Sequence, residues 1–407
     1  MIRTFTMDIT TSPATKSLNH FSAGSLSEFQ FASAEVSDTA EIIGLYNVSY
    51  EGQYPELVFT NYQLLKNEIL RRNKKLFVAR DMDHNVVACI SFLYDPYNRI
   101  AKAGSAVVGK EAQGKNLTRS LIEFGVDDIQ STTKGIALLY ITTRTVHRIA
   151  QHLTDNMGFK KLGIFPNAHK TKDYETHVLG GLYFEGAQDH RFSDFKQHPR
   201  VMPIYNIAKE ECDLPDMEIA TDLQLKEFYD EPPVLEFIHA TEFVKSSYNN
   251  AKKNKEIELG FYPFHEPSTL ITSPDGSIQV FANINKIDNQ CVIIGFKIDR
   301  KVSFTSLFLK VSSMLRDLGV RYIEMIARAN RLNIVDKIIQ AKFIPCGYVP
   351  SFQLDMDKRY DYVVFSKSFE ILEFNNIELT GVSNLYLKEY IKTWSEISLS
   401  KFLSVSI

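Results

Sequence analysis

The chain has 407 residues, of which 44% are hydrophobic and 23% charged, with a formal net charge of −3. That length suits two domains of ordinary size, and the near-neutral charge excludes a broad electrostatic pull on nucleic acid or anionic lipid. No apolar run reaches the roughly 18 residues needed to span a bilayer, and Cys89, Cys212, Cys291 and Cys346 form no CxxC or Cys/His metal pattern, reading as free thiols of a cytoplasmic protein.

Residues 1–28 are rich in Ser and Thr, lack the apolar segment of a signal peptide, and read as a loose tail. A strand is expected at 29–34. Ser37 can cap the following helix, with Asp38 favourable in its first turn; Ile42, Leu45 and Ser49 share one face. A second helical stretch holds Leu64, Leu65 and Ile69. Strands at 76–80 and 86–94 flank a tight turn, as in a hairpin, and another strand covers 101–109. The polar loop 110–116 then opens a helix whose apolar face carries Leu117, Leu121, Ile122 and Ile129. Strand 136–142, helix 147–157, strand 161–165 and strand 178–184 complete a mixed α/β unit over 29–185. Residues 186–215 read as a linker. A second unit, 216–375, has strands at 269–272, 278–284 and 291–298, a helix with Leu307, Val311, Met314, Leu315 and Leu318 at helical spacing, and a last strand at 361–368. Residues 376–407 form a helical extension able to pack across the two units.

The units repeat. Gly135, Phe159, Gly163 and Pro166 recur as Gly319, Phe343, Gly347 and Pro350, each 184 positions further on. Matched strand–helix–strand segments at a fixed offset indicate two copies of one fold. The copies differ in one respect: only the first carries a loop suited to a phosphate-bearing cofactor.

That loop runs from Val107 and Val108 through Gln113, Gly114, Lys115 and Asn116 into Leu117, Thr118 and Arg119. A helix start exposes unpaired amides and the positive end of a dipole, roughly +0.5 charge, where a pyrophosphate can sit. Lys115 and Arg119 add positive charge, and Thr118 offers a hydroxyl. In Gln113-x-x-Asn116-x-Thr118 the chain resembles the GCN5-related N-acetyltransferase (GNAT) family, whose signature is Gln/Arg-x-x-Gly-x-Gly/Ala between the fourth strand and third helix. Asn116 tolerates a left-handed backbone; Thr118 puts bulk where the family has a small residue. Ala150, Gly158 and Phe159 fit the family's later helix ending in Gly-Phe. In that helix His147 stands where an Asn often contacts the cofactor, and Thr154 where a Tyr often serves as acid.

The resemblance implies an α/β architecture of two tandem GNAT-like mixed-sheet domains, the second degenerate, since 295–305 lack the signature. It implies a splayed strand pair, 103–109 and 136–142, with Val107 and Val108 pairing the pantetheine arm of an acyl-CoA. Gln113, Gly114, Lys115, Asn116, Leu117, Thr118 and Arg119 would hold the diphosphate. The implied activity is acyl transfer from acetyl-CoA or another acyl-CoA to a small-molecule or peptide amine, without a metal, with the acceptor near the junction of the halves. Alternatives are a long-chain N-acyltransferase using acyl-CoA or acyl carrier protein, and a non-catalytic binding protein of this fold. The proton-handling candidates are His147, His177 and Tyr174, together with His152, Tyr140, His169, Asp173 and Glu175. The group from 169 to 177 is expected in the loop between the last two strands. His265-Glu266 lacks metal-ligand spacing and reads as a turn.

Overall fold

The hydrophobic periodicities resolve, in a computed structural model, into one sheet with helices on it. The structure describes residues 28–403 except 53, 55, 72–73, 133–134, 171–173, 222, 224–230 and 300–301; the expected tail up to residue 27, and Asp173, lie outside the described residues. The N-terminal half runs β1 (Gln30–Ser33), α1 (Thr39–Tyr50), α2 (Tyr62–Ile69), β2 (Lys74–Arg80), β3 (Val86–Asp95), β4 (Ile100–Val108), α3 (Leu117–Thr132), β5 (Leu138–Arg144), α4 (Ile149–Asn156), β6 (Lys160–Lys170), β7 (Tyr174–Tyr183) and α5 (Met202–Cys212). The C-terminal half runs β8 (Glu236–Ile238), α6 (Thr241–Lys253), β9 (Thr269–Thr272), β10 (Ile278–Asn285), β11 (Gln290–Ile298), α7 (Phe304–Asp317), β12 (Tyr322–Arg328), α8 (Leu332–Gln340), β13 (Ile344–Asp355), β14 (Lys358–Ser368) and α9 (Gly381–Leu403).

The strand order is β1-β2-β3-β4-β5-β7-β6-β13-β14-β12-β11-β10-β9-β8. Read from either edge, it gives the same seven-strand sequence, so the halves are related by a pseudo-twofold at the β6–β13 contact. The pairing there is a single antiparallel register, Gly163 opposite Gly347, two of the repeated glycines. A Cβ on Gly163 would lie 2.6 Å from Gly347 Cα and 2.7 Å from the Cys346 carbonyl oxygen. Neither obstacle is a flexible side chain, so the backbones can touch only where both side chains are absent.

Residues 186–215, expected as a linker, contain a helix and buried side chains. Within them α5 packs on β6 and β13, and Tyr205 is fully buried against Tyr348, ring centroids 5.0 Å apart. Arg191 forms a buried bidentate pair with Asp361 (2.6–3.0 Å), which also accepts from Tyr348 Oη (2.6 Å) and Ser351 N–H (2.9 Å). The segment looked exposed because its core contacts are polar side chains, Arg191, Gln197 and His198, that are satisfied in place. Helix α9 returns the exchange: Tyr386 Oη donates to the Lys161 carbonyl (3.2 Å). Each half thus sends its last helix into the shared core. At the first helix, a 3₁₀ turn at Val36–Asp38 precedes α1, so Ser37 lies inside that turn, and Asp38 stands at the N-cap.

Candidate active site

Strands β4 and β5 are parallel for three residue pairs only, Ile100–Leu138, Ala101–Leu139 and Lys102–Tyr140. Among the described residues, no strand pairs with the β5-facing edge of β4 from Ala103 to Val108. Sequence chemistry opens this V. The β3–β4 register shifts between Cys89 and Ser91, where Ser105 takes a left-handed φ of 51°, a bulge that bends the strand. The Tyr46 hydroxyl of α1 donates to the Ser105 carbonyl, and Ser105 Oγ donates to Glu56 Oε1 (2.8 Å). The loop after α1 is thereby tied to the bulge. Tyr46, Tyr50, Tyr54 and Phe59 form an aromatic group behind it, with centroids 4.4–6.2 Å apart.

At the open end of β4 the chain enters the polar loop. Gly109 N–H donates to the Val87 carbonyl (2.9 Å), and Gln113 Nε2 reaches back to the Val108 carbonyl (3.4 Å). Gly114 (φ 80°) and Asn116 (φ 58°) are both left-handed and exposed, which only glycine, and to a lesser degree Asn, adopts at low cost. Ser120 N–H makes the first intrahelical bond of α3, to the Asn116 carbonyl (3.1 Å). The amides of Leu117, Thr118 and Arg119 precede it, at the end of the helix where amides lack intrahelical acceptors. Val107 and Leu117 are buried, and Val108, Thr118 and Arg119 half-buried. Lys115 lies 3.5 Å from Glu28 and over the Phe29 ring; Arg119 pairs with Glu123 (2.9 Å).

The described residues of the group from 169 to 177 lie in strands, not in a loop. Strands β6 and β7 extend past their expected ends and pair through His169–Glu175 and Lys170–Tyr174. The bulge at Phe165/His169 hid this continuation, because it breaks the alternation that marks a strand. His169 and His177 stack, centroids 4.2 Å apart. Burial, and after it the neighbouring His169, push the His177 ring down to about 4, so it is neutral near pH 7. Glu175 makes a bidentate pair with Arg144 (2.6 Å). Sequence reasoning missed Asp288: this buried carboxylate on the β10–β11 turn of the other half lies 3.4 Å from His169 Nδ1. An Asn285-x-x-Asp288 turn signals only local hydrogen bonding, so nothing local marks it.

The other candidates are dispersed. Tyr174 is half-buried with Lys170 over its ring. His147 is exposed in the bend before α4. Thr154 is buried, donates to the Gln151 carbonyl (2.9 Å) and accepts from Lys161 Nζ (3.3 Å). Tyr140 is buried against Phe264 and Phe352 of the C-terminal half. His265 is held near Tyr262, its ring pushed down to about 4 by burial.

The matching gap in the C-terminal half is filled. Strands β11 and β12 pair for four residues and then part. There Glu258 N–H donates to the Phe296 carbonyl (2.8 Å) and Phe296 N–H to the Glu258 carbonyl (3.1 Å), while Glu258 pairs with Arg331 (2.7 Å). Fewer residues separate β11 from α7 than separate β4 from α3. Ser303 caps α7 by accepting from Ser306 N–H (3.2 Å), and Phe304 at the helix start packs on Phe296 and Phe308.

Residues 39–159, which contain the open V and the helix start, match the Acetyltransferase (GNAT) family. The match lies wholly within the N-terminal half of the chain. A spermidine/spermine N-acetyltransferase, SpeG, from Vibrio cholerae is 21% identical; the match covers 39% of this chain and 93% of that one at a TM-score of 0.34. An N-acetyltransferase from Staphylococcus aureus Mu50 is 17% identical over 38% of this chain and 98% of that one, TM-score 0.34. No curated protein matches. Among the described residues, no helix is long and apolar enough to cross a membrane, and no group of three or more His, Cys, Asp or Glu side chains is placed to hold a metal ion.

Proposed function

We propose that the N-terminal half binds an acyl-CoA, in the simplest case acetyl-CoA, and transfers its acyl group to an amine. The observation that carries this reading is the contrast between the gaps: β4/β5 is open beside a helix start, whereas β11/β12 is closed by residues 256–260. The residues present fit the cofactor. The free edge of β4 at Val107 and Val108 offers backbone groups to the pantetheine amides, and the first turn of α3, with Gly114 and Asn116 left-handed, faces amides to a diphosphate.

In this reading the amine nitrogen attacks the thioester carbonyl carbon, the C–S bond breaks, and the CoA sulfur leaves as thiolate. Holding the two reactants in the V supplies up to roughly 7–11 kcal/mol. Thr154 is committed to Gln151 and Lys161 and gives no acid. None is required, because a thiol of pKa about 8.5 leaves as an acceptable anion. His169, a half-exposed imidazole backed by buried Asp288, takes one proton from the ammonium and so frees the attacking lone pair; the second proton, lost from nitrogen after attack, ends on the departing CoA thiolate. Asp288 stands 3.4 Å from His169, and Glu175, paired with Arg144, lies opposite His169 in the β6–β7 register; carboxylates beside the base suit an acceptor that arrives as an ammonium ion.

Calorimetric titration with acetyl-CoA tests the reading. Saturable binding that is lost in a Gln113→Ala, Arg119→Ala double variant supports it; a folded protein that binds no acyl-CoA refutes it and leaves the binding-protein alternative.

A further inference from the structure

A second site lies in the C-terminal half, remote in sequence from the residues of the V. A cavity of about 220 Å³ is bounded by Lys342, Ile344, Lys367, Ser368 and, from α9, Trp394 and Ile397. Its floor is cationic. Lys367 donates to Ser312 Oγ (3.2 Å) and the Ala341 carbonyl (3.0 Å), and its ammonium lies over the Phe343 ring. Among the described residues, neither Lys367 nor Lys342 has a carboxylate within ion-pair distance, and Arg316, itself paired with Asp317 (3.8 Å), is close enough to act on Lys367.

A half-buried lysine facing two more cations is costly, and the fold does not require it. Register places Lys342 and Lys367 where the N-terminal half has Gly158 and Leu182. There the pair is apolar: a Cβ on Gly158 would sit 3.8 Å from Leu182 Cδ1, an ordinary contact. Lys342 even keeps the left-handed backbone (φ 67°) that Gly158 adopts with φ 87°, an uncommon conformation for a long side chain. The same scaffold position has therefore exchanged a neutral contact for two lysines that line a cavity. Beside them stand an indole, two aliphatic side chains and the Ser368 hydroxyl.

We propose that this cavity binds a small organic anion: an oxyanion held by Lys342 and Lys367, on a flat or apolar body laid against Trp394 and Ile344. The anion supplies the charge that the cluster lacks, and the indole supplies apolar contact. The proposal is independent of acyl transfer.

Trp394 is the only tryptophan of the chain, so its fluorescence reports on this cavity alone. The full-length protein is titrated at constant ionic strength with benzoate, with inorganic phosphate and with benzyl alcohol, the last matching benzoate in shape without its charge. The expected result is a saturable change with benzoate at up to about 10 mM, the range of weak single-site binding, and none with benzyl alcohol. Lys367→Met should weaken the response at least tenfold. Lys342→Gly, which copies the N-terminal half and suits the left-handed backbone, should do the same with an unchanged thermal melt. No saturable change with benzoate, an equal response to benzyl alcohol, or an undiminished response in a folded Lys342→Gly variant overturns the proposal. Phosphate saturating while benzoate stays silent overturns the apolar half of it.

Discussion

Gly114 is the residue whose replacement tests the proposed cofactor cup most directly. Its φ is 80°, and a Cβ built on it meets nothing within 4 Å. Gly114→Ala therefore adds no clash; the whole penalty is that of an L-residue in the left-handed region, roughly 1–2 kcal/mol. The loop is exposed, so the unliganded variant escapes this strain by shifting its backbone. Binding must restore the cup, and the strain then appears in the dissociation constant as a loss of about 5- to 30-fold. The assay is calorimetric titration with acetyl-CoA, run beside thermal melts. Two comparisons bracket the result. Asn116→Gly should bind within about threefold of the parent, because glycine holds φ 58° without a Cβ. Gly44→Ala, on an open face of α1, should raise stability by about 0.5–1 kcal/mol and leave binding unchanged. If Gly114→Ala binds acetyl-CoA as tightly as the parent, the loop does not grip the diphosphate and the reasoning fails.

Asp288→Asn keeps the shape beside His169 and removes its charge; release of CoA thiol with an amine acceptor should fall at least about tenfold with acetyl-CoA affinity intact, and a full rate would remove Asp288 from the chemistry. Asp361→Ala strands buried Arg191 and should cost about 3–5 kcal/mol in urea unfolding; a loss under 1 kcal/mol would contradict the buried pair. Gly163→Ala drives a Cβ into the Gly347 backbone and should lower stability by about 1–3 kcal/mol, whereas Gly180→Ala, whose Cβ would meet only side-chain atoms at 3.6 Å or more, should change it far less. His177 and His265 are both held down to about 4, below the unfolded value of about 6.5. Their neutral forms stabilise the fold fully above about pH 6.5, and that contribution, up to about 3 kcal/mol each, is lost as pH falls toward 4. His177→Phe should flatten the pH dependence of the unfolding midpoint over that window, and an unchanged slope would count against the burial argument.

The repeat was legible because the residues that carry it answer to backbone geometry. Gly163 and Gly347 are fixed by a crossing that admits no Cβ, and Gly135 and Gly319 by positive φ. The helix start at Leu117 was legible for the same reason: a strand, a polar loop with Gly and Asn, and an apolar face follow one another in the chain. What stayed hidden depends on distant partners. The role of 186–215 required Asp361 to be buried opposite Arg191, and Asp288 required the other half to fold back on His169. The long β6–β7 hairpin was obscured by its own bulges, which shift side-chain alternation at Phe165/His169.

The fate of the second gap explains how a doubled fold can keep one open site. In the N-terminal half the loop after α1 is tied to the β4 bulge through side chains, Glu56 to Ser105, so the strand edge itself stays free. In the C-terminal half the corresponding loop pairs through backbone at Glu258 and Phe296. A Cβ on Gly295 would sit 2.7 Å from Ile257 Cγ2 and 3.2 Å from the Glu258 carbonyl oxygen, so that packing depends on glycine. Closing the gap satisfies the edge amides that a cofactor would otherwise have to satisfy. The closed half is then free to serve as a rigid wall. Its Phe264 and Phe352 support Tyr140, and its Asp288 backs His169. The V can remain open on one side because the other half has given up its own.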